Sequence, residues 1–150
     1  MPPKFSLQAV LDYRHTRVES LEVELGELLN AQRQGEALLL ELQQKMKHLF
    51  ITLQAQQAGD IDLFEVSILR SNIKTTQDQI DQVVQALVIL EEKVTKKRNE
   101  LVQAKQDEEA LQTLKNKEKE RYFTELKLRE LRSQDEIYIA QAFRKRAQEY

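Results

Sequence analysis

Residues 56–62 read Gln-Gln-Ala-Gly-Asp-Ile-Asp and separate two long runs of regularly spaced apolar residues. Gly59 suits the left-handed conformation that often follows the last turn of a helix. Asp62, with Glu65 three residues later, matches the capping box that begins helices, and Asp60 is a rival cap. The segment therefore predicts that one helix ends here and a second begins.

On the N-terminal side of this turn, apolar residues recur every seven residues at two interleaved positions. Eleven of the fourteen positions are apolar. The two sets are Leu11, Val18, Leu25, Gln32, Leu39, Met46, Leu53 and Leu7, Arg14, Leu21, Leu28, Gly35, Leu42, Leu49. Such a repeat places all of these side chains on one stripe of a helix and requires a partner helix to cover it.

The C-terminal side repeats the pattern with Val66, Ile73, Ile80, Leu87, Val94, Leu101 and Leu69, Thr76, Val83, Leu90, Lys97, Ala104, Leu111. A straight α-helix drifts against a strict seven-residue repeat, so the repeat favours a left-handed supercoil. A short turn between two long helices makes them antiparallel. The sequence predicts an all-α fold: two long helices in an antiparallel left-handed coiled-coil hairpin, the stripes forming its seam.

The register of this seam follows from pairing residues that lie equally far from the turn. Leu53 then faces Leu69, and Leu42 faces Ile80. Extending the same register outward brings the seam charges Arg14 and Glu108 to one level, and we expect them to form an ion pair. It also brings together the pairs Gly35 with Leu87 and Gln32 with Leu90. That weak stretch either accommodates large partners and fixes the register, or acts as a hinge.

The two predicted helices differ in length. We expect one hairpin domain over residues 1–150, with a helix at about 6–57, a turn at about 58–61 and a helix at about 62–145. At a rise of 1.5 Å per residue these helices span roughly 75 Å and roughly 125 Å. The first helix runs out near the level of Lys115, so the second, longer helix is expected to project alone.

Composition excludes several classes of function. There is no cysteine, the formal charge is −2, and charged residues make up 32% of the chain. The longest apolar runs fall short of a membrane span, and basic residues are interleaved with acids, which disfavours nucleic-acid binding. His15 and His48 lie far apart on one helix, and no phosphate-binding or metal-binding motif is present. We therefore expect no enzyme, no cofactor, no metal and a cytoplasmic location.

Apolar residues outside the seam point to two candidate surfaces for protein partners. Near the turn these are Phe50, Ile51, Phe64 and Ile68. Either they form a docking patch, or they close the tip by packing on one another. On the projecting helix they include Tyr122, Phe123, Leu126, Leu128, Leu131, Tyr138 and Phe143. Either this end inserts into a socket of a larger assembly, or it is covered by a folded-back N-terminal segment or by self-association.

Two stretches of the sequence carry a pattern beyond the heptads. The first is Phe5-x-Leu7-x-x-Val10-Leu11-x-x-Arg14, followed by Glu19 and Glu22. The second is Leu111-x-x-Leu114-Lys115, a charged stretch, and then Asp135-Glu136. These stretches resemble the FliJ family, the small coiled-coil component of the flagellar type III export apparatus, and the likeness extends over essentially the whole chain.

The resemblance implies a cytoplasmic stalk that docks on a hexameric export ATPase, contacts the membrane export gate and escorts export chaperones. It implies that the joined N- and C-terminal segments enter the ATPase ring. It also implies a gate-contacting face near Met46, Leu49, Phe50, Leu69 and Ile73, of which Phe50 is the residue outside the seam. Two alternatives stand beside it: a holdase or chaperone-escort hairpin, and a homo-oligomeric scaffold.

Overall fold

The computed structural model describes residues 3–148 and contains two α-helices, α1 (Gln8–Gln57) and α2 (Leu63–Gln148). This part of the chain has no strand. The two helices pack against each other, which confirms the predicted all-α helical hairpin. Compared with the expected bounds, α1 begins two residues later and α2 ends three residues later. Neither helix carries, within 3–148, an apolar stretch long enough to cross a bilayer.

The turn is fixed by a cap on α2. The backbone N–H of Phe64 donates to Oδ1 of Asp62 at 3.0 Å, and the N–H of Val66 donates to the Asp62 carbonyl at 3.0 Å. Asp62 is therefore the N-cap, and its side chain satisfies a backbone donor that the first helical turn leaves unpaired.

The expectation of a left-handed conformation at Gly59 is wrong. No glycine among the described residues has a positive φ. Instead α1 ends in a tight turn, in which the N–H of Ala58 donates to the carbonyl of Ala55 at 3.4 Å. A turn of this 3₁₀ type uses ordinary backbone angles, so a left-handed residue is not needed to end the helix.

The described residues form two compact units. We call residues 3–18 with 104–148 the terminal unit, and Glu19–Gln103 the turn unit. In each unit a part of α1 packs antiparallel on a part of α2. The sequence-based assignment of the whole chain to one domain stays a prediction.

The turn unit has a thin core made of seam residues. Its buried side chains are Leu21, Leu42, Met46, Val66, Thr76 and Val94. All six occupy predicted seam positions. Thr76 is fully buried, and its hydroxyl donates to the carbonyl of Asn72 at 2.8 Å, which removes the cost of burying it unpaired. The terminal unit follows the same rule with Leu11, Val18, Ala104 and Leu111 buried.

The predicted pairing of Gly35 with Leu87 is confirmed. A Cβ atom built on Gly35 would lie 2.7 Å from Cδ2 of Leu87, so the glycine leaves room for the leucine. Close by, Nε2 of Gln32 donates to Oε2 of Glu91 at 2.6 Å. These contacts support accommodation of large partners at this point of the seam, and the hinge stays a prediction.

Lys97 is a charged seam residue held by two carboxylates. Its Nζ lies 2.8 Å from Oε2 of Glu24 on α1 and 3.2 Å from Oε2 of Glu100 on α2. The hydrogen bond to Glu24, followed by the one to Glu100, raises the pKa of Lys97 above 10.5. The ammonium group thus sits at the edge of the seam, where its stem packs and its charge is paired.

The glycines provide a stability test. Gly26 is exposed and a Cβ there meets nothing within 4 Å, so Gly26→Ala should stabilise by about 0.5–1 kcal/mol through helix propensity. Gly35→Ala should raise the free energy of unfolding by less than this, or lower it, because the Leu87 side chain must move. Urea unfolding followed by circular dichroism measures both. The close contact would be contradicted if both substitutions raised the free energy of unfolding equally. It would also be contradicted if Gly35→Ala were no more stabilising in a Leu87→Ala background than in the unsubstituted protein.

Lys97 provides a pH test. Its folded pKa is raised, so the stabilisation from its charge is present below the unfolded value of 10.5 and is lost as pH rises through the folded value. The difference in unfolding temperature between the unsubstituted protein and Lys97→Met should be constant near neutral pH. Above pH 10.5 the unsubstituted protein should lose stability relative to Lys97→Met. Thermal unfolding over that pH range is the measurement. If this difference in unfolding temperature does not change with pH, the ion pairs of Lys97 contribute nothing to stability.

Candidate partner-binding surfaces

The four apolar residues predicted near the turn are all exposed. Phe64 is 74% exposed and Phe50 is 50% exposed, and Ile51 and Ile68 are exposed as well. Packing on one another does not bury any of these side chains. Their role in partner binding stays a prediction, and the structure supplies the exposed apolar surface that this role requires.

Two more residues belong to this surface and were not identified from the sequence. Ile61 and Leu63 flank the capping residue Asp62 and are exposed. The sequence signal for them was their position on either side of the N-cap, where an apolar residue is often part of a hydrophobic staple. We define the turn surface as Phe50, Ile51, Ile61, Leu63, Phe64 and Ile68.

The end of α2 is uncovered. Every residue from 123 to 148 is exposed, whereas Tyr122 is half-buried and meets the ring of Phe123 edge-on at a centroid distance of 5.5 Å. We define the C-terminal surface by its exposed large apolar residues: Phe123, Leu126, Leu128, Leu131, Ile137, Tyr138, Ile139 and Phe143. Coverage by a folded-back N-terminal segment therefore stops at Tyr122 within the described residues.

These side chains do not form a single stripe. At 100° per residue, Leu128, Leu131 and Tyr138 lie on one side of the helix, and Phe123 and Ile137 lie on another. Charged residues fill the positions between them. A flat groove would cover only one of these sides.

Arg14 and Glu108, which the register predicts to pair, each make a contact between α1 and α2 in the terminal unit. Nη1 of Arg14 donates to the backbone carbonyl of Asp107 at 2.7 Å. Oε1 of Glu108 lies 2.7 Å from Nδ1 of His15. Both contacts join α1 to α2 at the level that the register specifies, and the direct ion pair between Arg14 and Glu108 stays a prediction.

A cleft at the N-terminal end of α1 was also not anticipated. It measures about 510 Å³ and is lined by Pro3, Lys4, Phe5, Gln8, Lys115, Glu118, Lys119 and Tyr122. The N–H of Gln8 donates to the carbonyl of Phe5 at 3.1 Å, which places Phe5 directly before the helix. We call this site the terminal cleft. It brings together residues that are more than a hundred positions apart, so no local sequence pattern predicts it.

Within residues 3–148, no group of histidine, aspartate and glutamate side chains is arranged to hold a metal ion.

Comparison with known proteins identifies the family. The family model described as Flagellar FliJ protein matches residues 3–147, nearly the whole chain. No curated protein and no solved structure matches the chain. The match covers both helices and the turn, and it agrees with the resemblance of the opening and closing stretches of the sequence. The chain belongs to the FliJ family of flagellar export stalk proteins.

Proposed function

We propose that this protein is a non-enzymatic cytoplasmic stalk of a type III export apparatus. In this proposal the C-terminal surface docks on a hexameric export ATPase, and the turn surface contacts the membrane export gate. Export chaperones are a third class of partner. Any association with the membrane is indirect, through the protein complex.

The observation that carries the proposal is the uncovered end of α2 in a chain of this family. All residues from 123 to 148 are exposed, and they include eight large apolar side chains. In water such side chains lower the solubility of a monomer and gain free energy when a partner covers them, at about 25 cal/mol per Å² of apolar area. Because they lie on more than one side of the helix, a ring that encloses the helix buries more of them than a flat face does.

The turn surface is the second contact in this proposal. Six exposed apolar residues gather around the turn of the turn unit, where no seam position is available to them. The family's gate-contacting face includes Met46, Leu49, Leu69 and Ile73 by resemblance, but Met46 is buried and the other three are half-buried. Phe50 is the member of that set that is exposed. We therefore propose Phe50, Phe64 and Ile68 as the main gate contacts.

A second candidate function is supported by the same surface. A holdase or chaperone-escort hairpin grips its clients through an apolar tip, and the exposure of Phe64 and Leu63 is what such a tip requires. In that case the end of α2 contributes nothing to client binding. The two functions therefore predict opposite results for loss of the helix end.

The first test is truncation after Tyr122. This variant keeps every buried residue and the whole terminal cleft, so it should fold. We expect it to lose stimulation of the cognate export ATPase, measured as phosphate release with the full-length chain as reference. A milder version, Leu128→Ser with Tyr138→Ser, should weaken stimulation in the same direction. Truncated protein that stimulates as well as the full chain would refute insertion of the helix end.

The second test replaces Phe50, Phe64 and Ile68 together with serine. All three side chains are exposed, so the unfolding midpoint should change little, while affinity for the cytoplasmic part of the gate should fall roughly tenfold or more. ATPase stimulation should be retained. Val23→Ser, at an exposed apolar position of α1 away from the turn, is the matched control.

The same variants separate the two functions. Under the stalk proposal, the serine variant fails at the gate and the truncation fails at the ATPase. If chaperone or client binding is lost in the serine variant, and the truncated protein shows no defect in any assay, the escort function replaces the stalk.

A further inference from the structure

The terminal cleft is distinguished by the residues that line it. Its volume of about 510 Å³ lies within the range of roughly 300–1,000 Å³ typical of pockets that hold small ligands or peptide anchors. Phe5 and Tyr122 are both half-buried and form its aromatic wall with Pro3. The hydrogen bond from the Gln8 N–H to the Phe5 carbonyl fixes the backbone of Phe5 directly before α1, and the ring of Tyr122 meets the ring of Phe123 edge-on.

The charge around this wall is strongly biased. Three lysines, Lys4, Lys115 and Lys119, line the cleft with a single glutamate, Glu118. The chain as a whole has 23 basic and 25 acidic residues, so the excess of lysine at this cleft is local. A cationic rim around apolar rings attracts a ligand that carries both negative charge and an apolar side chain.

A second cleft of the molecule shows what distinguishes this one. In the turn unit, a cleft of about 440 Å³ is also lined by three lysines, Lys93, Lys96 and Lys97. Three glutamates line it as well, and two of them hold the Lys97 ammonium group. It has no aromatic residue and no excess charge. The combination of aromatic wall and positive rim is found in the terminal cleft.

We propose that the terminal cleft binds an acidic peptide segment of a protein partner. One large apolar side chain of that segment packs against Phe5 and Tyr122, and its carboxylates pair with Lys4, Lys115 and Lys119. The inference rests on the residues of the cleft and not on the proposed export function, because it specifies the chemistry of the bound segment whichever partner supplies it. Peptide capture of this kind combines an apolar anchor with charge-assisted hydrogen bonds.

The experiment uses the full chain and two synthetic peptides of equal size. One is acetyl-Asp-Glu-Phe-Asp-Glu-Leu-amide, and the other is its uncharged counterpart acetyl-Asn-Gln-Phe-Asn-Gln-Leu-amide. Calorimetry gives the affinities, and NMR gives the site through the amide signals of Gln8 and Lys119. We expect the acidic peptide to bind about tenfold more tightly or better, to shift these signals, and to weaken with added salt.

Variants assign the binding to the cleft. Lys119→Glu and Phe5→Ser should each weaken the acidic peptide about tenfold. Lys127→Glu and Tyr13→Ser change a lysine and an exposed aromatic residue outside the cleft, and they should leave the affinity for the acidic peptide unchanged. Circular dichroism checks that every variant is helical. The comparison of the two peptides needs no variant, so it stands even if a substitution in the cleft disturbs folding.

Several outcomes would overturn the proposal. They are equal affinity for the two peptides, no binding of either, signal shifts confined to other parts of the chain, and equal losses in the control variants. Vesicles with anionic headgroups provide the remaining comparison. If they shift the Gln8 and Lys119 signals while the acidic peptide does not, the cleft recognises a lipid surface and the peptide proposal fails.

Discussion

The seam between α1 and α2 is the constraint on which the rest of the structure depends. A pair of helices offers one strip of mutual contact and no second layer. All buried residues of the described chain, from Leu11 to Leu111, occupy positions of that strip. An apolar side chain elsewhere on either helix is at most half-buried among the described residues. Exposure of the turn surface and of the C-terminal surface is therefore a direct consequence of the architecture.

Polar residues interrupt this seam in ways that limit their cost. Thr76 is buried but bonds within its own helix, Lys97 reaches carboxylates at the seam edge, and Gln32 bonds across to Glu91. Each has a defined partner, whereas a seam of leucines alone would tolerate shifted pairings. Gly35 acts by shape, since the space at its Cβ position is filled by Leu87. Such residues contribute more to the choice of register than to the free energy of folding.

The division between seam and surface also underlies the proposed function. Side chains that pack in the seam cannot contact a partner unless the seam opens, so the proposed contacts use exposed residues at the turn and at the end of α2. The FliJ family match places these surfaces in a protein of flagellar export. In the proposed stalk, the seam holds the two helices together in each unit, and the exposed apolar residues at the turn and at the end of α2 are the contacts for partners.

The sequence by itself determined the two helices, the seam positions, the antiparallel pairing of Gly35 with Leu87 and the apolar residues available at each end. It could do so because these features follow from local periodicity and from one short turn. Only the tertiary structure decided between Asp62 and the rival cap Asp60, and it alone showed that Gly59 is not left-handed and that Glu108 contacts His15. It alone revealed the terminal cleft. Long side chains choose partners by reach in space, and a cleft built from Phe5 and Tyr122 exists only once the chain has folded back on itself.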